Sequence, residues 1–64
     1  MDTYTFQFDA SEDSAEEIIE LLQRKLALPV EDYGDDWIEV RLTPMDVDDV
    51  ERVLTDAVIW FEWW

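Results

Sequence analysis

The last eight residues, 57–64, constrain the possible folds of this chain more than any other stretch. As an extended strand they are apolar on both alternating faces. One face would present Ala57, Ile59, Phe61 and Trp63, and the other Val58, Trp60 and Trp64. A strand of this kind needs cover on both sides, or cover on one side and a partner on the other. We therefore predict a strand over 57–64, in a protein that works by binding. Strands that are apolar on both faces usually lie in the centre of a sheet, but the sequence does not fix the strand order.

The chain as a whole is strongly acidic. Eighteen Asp and Glu residues outnumber four Lys and Arg residues, for a formal net charge of -14, and there is no His or Cys. Such a surface repels nucleic acid and anionic membranes and attracts basic proteins at long range. The sequence shows no signal peptide and no apolar run of membrane-spanning length. Together with the lack of Cys, this predicts a cytoplasmic protein.

The first half of the chain predicts a strand and a helix. Residues 3–8 alternate between apolar and polar side chains, which is typical of a half-buried strand. Ser14, with Glu17 three residues later, matches a capping box. The apolar positions that follow fall on one helical stripe, so we predict a helix over 15–27 that ends before Pro29.

The second half repeats this order. Residues 37–43 alternate as a second strand, and Thr43 followed by Pro44 predicts the N-cap and first turn of a second helix. The segment between the first helix and the second strand contains the only glycine, Gly34, which predicts a turn with a positive φ angle. The final strand over 57–64 completes the pattern.

The order β-α-β-α-β predicts one α/β (α+β) domain over residues 1–64, built as a two-layer sandwich. A three-stranded sheet would have both helices on one face. The helices would cover the apolar side chains of that face: Tyr4, Phe6, Phe8, Ile38, Val40 and Leu42.

The opposite face of this sheet would have no covering layer. Trp37, Trp60 and Trp64 fall on that face, which is more exposed tryptophan than a monomer normally presents to water. Either a curled sheet or the 27–36 segment covers these side chains, or they form an apolar interface. A second copy of the chain or a target protein would then contact them.

The sequence contains little that could perform catalysis or bind a cofactor. There is no His or Cys to act as base or nucleophile. Two layers of this size scarcely form the cleft that a pair of catalytic carboxylates requires. The oxygen-rich stretches 32–36 and 46–49 lack the ligand and glycine spacing of an EF-hand loop. We predict a protein that is not an enzyme and has no metal site.

Helix electrostatics explain part of the acid excess, because acids precede bases along the first helix, as its dipole favours. Mimicry of DNA would explain the total. Glu16 and Glu20 lie one helical turn apart, about 6 Å, which resembles the separation of successive phosphates on a DNA strand. The predicted partner-binding residues are all acidic: Asp13, Glu16, Glu17, Glu20, Glu31, Asp32, Asp35, Asp36, Asp48, Asp49 and Glu51.

Two other interpretations remain open at this point. Halophilic proteins are rich in acids and poor in Lys, and this chain has one Lys, although its four tryptophans are unusual for that class. The chain could also be an acidic protein-binding module, such as an antitoxin. Neither alternative predicts competition with DNA for the same basic surface.

The size, the acidity, the absence of Cys and the two-layer pattern resemble the small DNA-mimic inhibitors made by phages. The anti-CRISPR proteins of type I-C systems are the most similar, and the longer phage inhibitors of uracil-DNA glycosylase share the strategy. The resemblance covers the whole chain in overall character and includes no diagnostic motif. It implies a stoichiometric inhibitor in the host bacterial cytoplasm, which occupies the DNA-binding surface of a CRISPR surveillance complex without binding nucleic acid itself.

The ionic strength at which the chain folds separates mimicry from salt adaptation. A DNA mimic works in an ordinary cytoplasm, so we expect a fully folded circular dichroism spectrum in dilute buffer. A halophilic domain needs its acids screened, and its spectrum would sharpen only above about 1 M salt, where the Debye length is about 3 Å. The second result would contradict mimicry.

Overall fold

Two antiparallel strands at the centre of the sheet organise this fold. The computed structural model describes residues 2–64. Along the chain the elements are β1 (Asp2–Phe8), α1 (Ala15–Leu26), β2 (Val30–Tyr33), β3 (Trp37–Leu42), α2 (Pro44–Asp56) and β4 (Phe61–Trp63). The strands form one antiparallel sheet in the order β2-β3-β1-β4. The helices pack on one face of this sheet, as the sequence predicted.

The register between β1 and β3 determines which side chains enter the core. Their six paired positions run from Asp2 opposite Leu42 to Gln7 opposite Trp37. Because side chains alternate along a strand, this pairing places Tyr4, Phe6, Ile38, Val40 and Leu42 on the face below the helices, and Trp37 on the open face. The buried core consists of Phe6, Phe8, Ala15, Ile18, Leu22, Leu28, Ile38, Val40, Leu42, Val50 and Leu54. The predicted alternation in these two strands is therefore confirmed.

Side-chain caps begin both helices where the sequence predicted them. At the start of α1, the Ser14 hydroxyl accepts a hydrogen bond from the backbone N–H of Glu17 at 3.2 Å. This is one half of the predicted capping box; within residues 2–64 the Glu17 side chain accepts no bond from the Ser14 backbone N–H. At the start of α2, Thr43 and Asp46 form a complete capping box, and Pro44 occupies the first helical position. A cap of this kind typically stabilises a protein by about 1 kcal/mol. Within residues 2–64, neither helix is long and apolar enough to cross a membrane.

The sheet has four strands, so the prediction of three was wrong by one edge strand. β2 lies inside the 27–36 segment that we expected to be a connection. β2 pairs only with β3 and is largely exposed, so it has no apolar face to bury. Its sequence, Val30-Glu-Asp-Tyr33, accordingly lacks the apolar alternation by which a half-buried strand is recognised. Charged side chains suit such an edge, since they discourage further strand pairing.

The final strand is shorter than predicted and lies at an edge of the sheet, although strands that are apolar on both faces usually lie in the centre. Residues 57–60 form a turn and a short connection, and only Phe61–Trp63 pairs with β1. Phe61 and Trp63 make edge-to-face contacts with Phe6, at ring-centroid distances of 6.3 and 5.6 Å. These contacts bury one face of β4. The second apolar face predicted for this stretch does not enter the core.

Two residues with side chains adopt the left-handed backbone conformation that glycine usually occupies. Ala27, the C-cap of α1, has a φ angle of 53°, and Val58, in the turn before β4, has 59°. Val58 is the more strained of the two, because its β-branched side chain tolerates this region poorly. Gly34 has no positive φ angle, so that prediction was wrong. Gly34 instead leaves room for a neighbouring side chain, because a Cβ at this position would overlap the Trp37 indole.

Replacing Val58 with Gly is expected to stabilise the protein by about 1 kcal/mol. The left-handed conformation costs a residue with a Cβ about 1–2 kcal/mol, partly offset by the greater unfolded-state entropy of glycine. The Val58 side chain is 91% exposed, so little packing is lost. Thermal unfolding should show a Tm higher by about 4–8 °C. Val58→Ala, which keeps the Cβ, should gain much less, and a Tm below that of the parent protein would contradict the strain.

Candidate protein-binding surface

The fold itself uses few of the eighteen acidic side chains. No charged side chain within residues 2–64 is buried. The ion pairs are Glu20–Arg24 at 4.0 Å, Glu31–Arg41 at 3.4 Å and Asp49–Arg52 at 3.8 Å. These pairs are exposed to solvent, so each contributes at most about 1 kcal/mol. Most of the acids therefore face water without a base beside them.

Three of the acids meet in a shallow cleft at one end of the sheet, which we call the acidic cleft. Asp13 and Glu16 flank the N-cap of α1, and Asp35 lies in the turn between β2 and β3. Their side chains line the cleft together with Tyr33 and Gly34, and no basic residue lines it within the described part of the chain. All three acids were predicted as partner-binding residues. The tertiary structure brings them together from two separate segments.

A second cavity lies beside the acidic cleft and includes an exposed tryptophan; we call it the tryptophan cavity. It is lined by Phe8, Asp9, Ala10, Ser11, Asp36 and Trp60. The two cavities share Ala10, so they are direct neighbours at the same end of the sheet. Asp36 and Trp60 were both predicted as binding residues, one as an acid and the other as part of an apolar interface. The structure places them on one surface.

The carboxylate of Asp9 is held in the tryptophan cavity by a local turn. Its Oδ1 accepts hydrogen bonds from the Ser11 hydroxyl at 2.6 Å and the Ser11 backbone N–H at 3.0 Å. Both donors favour the charged form, so they hold the pKa of Asp9 below its ordinary value. The sequence prediction missed Asp9. The spacing of Asp and Ser, typical of an Asx turn, is the signal that could have found it.

Gln7, on the open face of β1, joins this cavity to the C-terminal tryptophan. Its Nε2 donates to Asp36 Oδ2 at 3.1 Å, and its Oε1 accepts from the indole N–H of Trp64 at 3.4 Å. Trp37 stands opposite Gln7 in the sheet register. It is half-buried, with its indole close over Gly34. Trp37 therefore helps to cover the β2–β3 turn, whereas the other two predicted interface tryptophans are largely exposed.

The remaining predicted acids are spread over other surfaces. They are Glu17 and Glu20 on α1, Glu31 and Asp32 on β2, and Asp48, Asp49 and Glu51 on α2. α2 contributes no residue to the acidic cleft. Glu51 has a structural contact, because its Oε2 accepts from the indole N–H of Trp63 at 2.8 Å. This hydrogen bond fastens β4 to α2.

No relative and no metal centre defines this surface. Comparison of the chain with protein-family models, with curated proteins and with solved structures gave no match. Within residues 2–64, no group of three or more potential ligand side chains is arranged to hold a metal ion. The functional interpretation therefore depends on the geometry and charge of the acidic cleft and the tryptophan cavity.

Replacing Glu51 with Ala is expected to destabilise the protein by about 1–2 kcal/mol, because the indole N–H of Trp63 loses its acceptor. Glu51→Gln keeps an acceptor oxygen and should lose less. Asp48→Ala on the same helix is the matched control; its side chain is exposed, so its effect should stay within about 0.5 kcal/mol. Urea unfolding measures all three. Equal losses for Glu51→Ala and Asp48→Ala would show that the hydrogen bond does not hold β4.

Ser11→Ala is expected to raise the pKa of Asp9 towards its ordinary value, because the hydroxyl donor is removed. In the parent protein the lowered pKa contributes stability above the pKa of the unfolded chain, and this contribution is lost as pH falls through the folded pKa. A carbon-13 titration of the Asp9 carboxyl measures the change. Ser14→Ala, which removes a hydroxyl that does not contact Asp9, is the control. An unchanged titration in Ser11→Ala would contradict the assigned cause.

Proposed function

We propose that this protein is a stoichiometric inhibitor that mimics DNA. Its acidic surface would occupy the DNA-binding surface of a basic protein. The observation that supports this most directly is the acidic cleft, which acids beside the N-cap of α1 and in the β2–β3 turn line together without a basic residue. The net charge of -14 extends the same character to the whole surface.

The acids of the cleft contribute little to the fold. The side chains of Asp13, Glu16 and Asp35 form no ion pair within residues 2–64 and do not take part in the side-chain hydrogen bonds that cap α1 or hold β4. The fold therefore supplies no base to these carboxylates. A binding partner with opposite charge would supply the bases.

In a groove that binds DNA, these carboxylates would occupy the positions of DNA phosphates. Duplex DNA presents one negative charge per about 1.7 Å of its axis, and proteins hold it with Lys and Arg side chains. Along α1, Glu16 and Glu20 continue the negative charge one helical turn beyond the cleft. The same Lys and Arg side chains could pair with these carboxylates. The inhibitor and DNA would then exclude each other.

The target that we propose is a type I CRISPR surveillance complex in the cytoplasm of a bacterial host. Such a complex holds its nucleic acids in positively charged channels, which an acidic domain of this size could enter. The resemblance of the chain to anti-CRISPR proteins of type I-C systems supports this choice. It would make the protein a phage inhibitor with one binding site on the complex.

Competition for DNA tests this proposal. A purified type I-C surveillance complex carrying its guide RNA is mixed with a labelled target duplex, and increasing amounts of the inhibitor are added. We expect the complex to lose the duplex at about one equivalent of inhibitor, in a gel-shift or fluorescence-anisotropy experiment. Since contacts between exposed charges are screened by salt, inhibition should weaken as ionic strength rises.

A charge-matched pair of variants locates the contact. Asp13→Asn, Glu16→Gln and Asp35→Asn together remove three charges from the acidic cleft, and inhibition should weaken at least about tenfold, or about 1.4 kcal/mol. Asp2→Asn, Glu39→Gln and Asp56→Asn remove three charges at positions outside the predicted partner-binding set and should have a smaller effect. If the inhibitor binds the complex and the duplex stays bound, DNA mimicry is wrong.

A further inference from the structure

Two tryptophans remain on the surface although their neighbours in the sequence enter the core. Trp60 is 55% and Trp64 is 69% exposed, whereas Phe61 and Trp63 pack against the core. Folding leaves these two large aromatic surfaces in water, where they contribute little to stability. Exposed aromatic residues beside polar groups are typical of protein-binding surfaces.

Trp60 lies beside two carboxylates that are held in place by internal hydrogen bonds. Ser11 donates to Oδ1 of Asp9, and Gln7 donates to Oδ2 of Asp36. The second oxygen of each carboxylate has no donor within residues 2–64. The tryptophan cavity therefore presents an indole and two free anionic oxygens that are already in fixed positions.

The open face of the sheet carries further negative charge, on β4 beside Trp64 and on the far strands β2 and β3. Glu62 is exposed on β4, and Asp32 on β2 lies opposite Glu39 on β3. Like charges directly opposite each other on a sheet are destabilising. Arg41 also points to this face, but it already pairs with an acid of β2 at 3.4 Å. The face therefore combines exposed indoles with unbalanced negative charge.

We propose that this surface binds an arginine-bearing segment of a basic protein. We define it as the tryptophan–acid face, consisting of Trp60, Trp64, Asp9, Asp36 and Glu62. A guanidinium group can stack on an indole while its N–H groups donate to a carboxylate. The tryptophan cavity supplies both of these partners in one place. Lysine can form the ion pair, but it lacks the planar fork that makes both contacts together, so the face favours arginine.

The charge of the face argues against a second copy of this chain as its occupant. In a two-fold symmetric dimer a surface meets itself, so the acids of both copies would be brought together. Each copy has a net charge of -14, and juxtaposed like charges strongly oppose association. Nucleic acid is opposed for the same reason. A basic protein segment is the occupant that removes the repulsion between the acids and also covers the indoles.

This inference goes beyond DNA mimicry and does not depend on it. The tryptophan–acid face shares no defining residue with the acidic cleft, and it requires only that the partner be basic. The two surfaces also respond differently to salt, because screening weakens exposed charge pairs more than stacking on an indole. A partner that contacts both surfaces would remain bound at ionic strengths that abolish binding through the cleft alone.

The experiment uses nona-arginine and nona-lysine peptides as probes of the intact protein. Proton–nitrogen NMR resolves the indole N–H signals of the four tryptophans, and single substitutions assign them. We expect nona-arginine to shift the signals of Trp60 and Trp64 with a common saturation curve. The signal of Trp63, which is hydrogen-bonded to Glu51, serves as the internal reference and should move little. Nona-lysine should bind at least about threefold more weakly.

Variants of unchanged charge test the role of the indoles. Trp60→Ser and Trp64→Ser together should weaken nona-arginine binding about tenfold and abolish the preference over nona-lysine. Met45→Ser is the matched control, because it removes an exposed apolar side chain on α2 and should change neither affinity. Trp60→Ser alone, with an expected loss of about threefold, provides a milder variant if the double substitution perturbs the fold.

Three results would overturn the proposal. The first is equal affinity of the parent protein for the two peptides. The second is a set of shifts confined to the amides of Asp13, Glu16 and Asp35, which would place the peptide in the acidic cleft. The third is movement of the Trp60 and Trp64 signals with protein concentration in the absence of peptide, which would identify a second copy as the occupant. None of these results bears on competition with DNA, so the two proposals can fail separately.

Discussion

The antiparallel pairing of β1 with β3 is the interaction on which the rest of this structure depends. Its register places the core residues of both central strands on one face, and both helices pack against that face. A shift of one residue in either strand would turn Phe6 or Val40 towards water and bring a polar side chain into the core. The edge strands add to this pair without altering it. The same register places Gln7, Trp37 and Glu39 together on the open face.

The core contains no charged side chain within residues 2–64, so most of the acids lie outside the interactions that hold the fold; Asp46, which caps α2, and Glu51, which binds Trp63, are exceptions. This separation allows a small protein to hold a net charge of -14. The cost is repulsion across the surface, which few bases reduce. The acidic cleft and the tryptophan cavity lie side by side at one end of the sheet. A basic partner could therefore form ion pairs in the acidic cleft and apolar contacts with Trp60 in the tryptophan cavity.

β4 links the stability of the fold to this binding surface. Trp63 is fastened to Glu51 and stacks edge-to-face with Phe6, which places its neighbours in the sequence on the opposite face. The exposure of Trp64 is thus a consequence of the burial of Trp63. The strained turn at Val58 leads directly into this strand. The chain accepts an unfavourable backbone conformation and two exposed indoles in the same short segment, which favours a functional role for that segment.

Local features determined much of this protein from the sequence alone. Alternation predicted β1 and β3, periodicity predicted both helices, and the caps at Ser14 and Thr43 were correct because a cap depends only on residues within one turn. Tertiary structure decided the rest. β2 became a strand because β3 offered an unpaired edge, and β4 took the other edge although its sequence suggested the centre. Composition identified acids and tryptophans as candidates for binding. However, Asp36 and Trp60 line the same cavity although they lie far apart in the chain. Contacts between such distant segments depend on which strands and helices become neighbours, and local sequence patterns do not determine this.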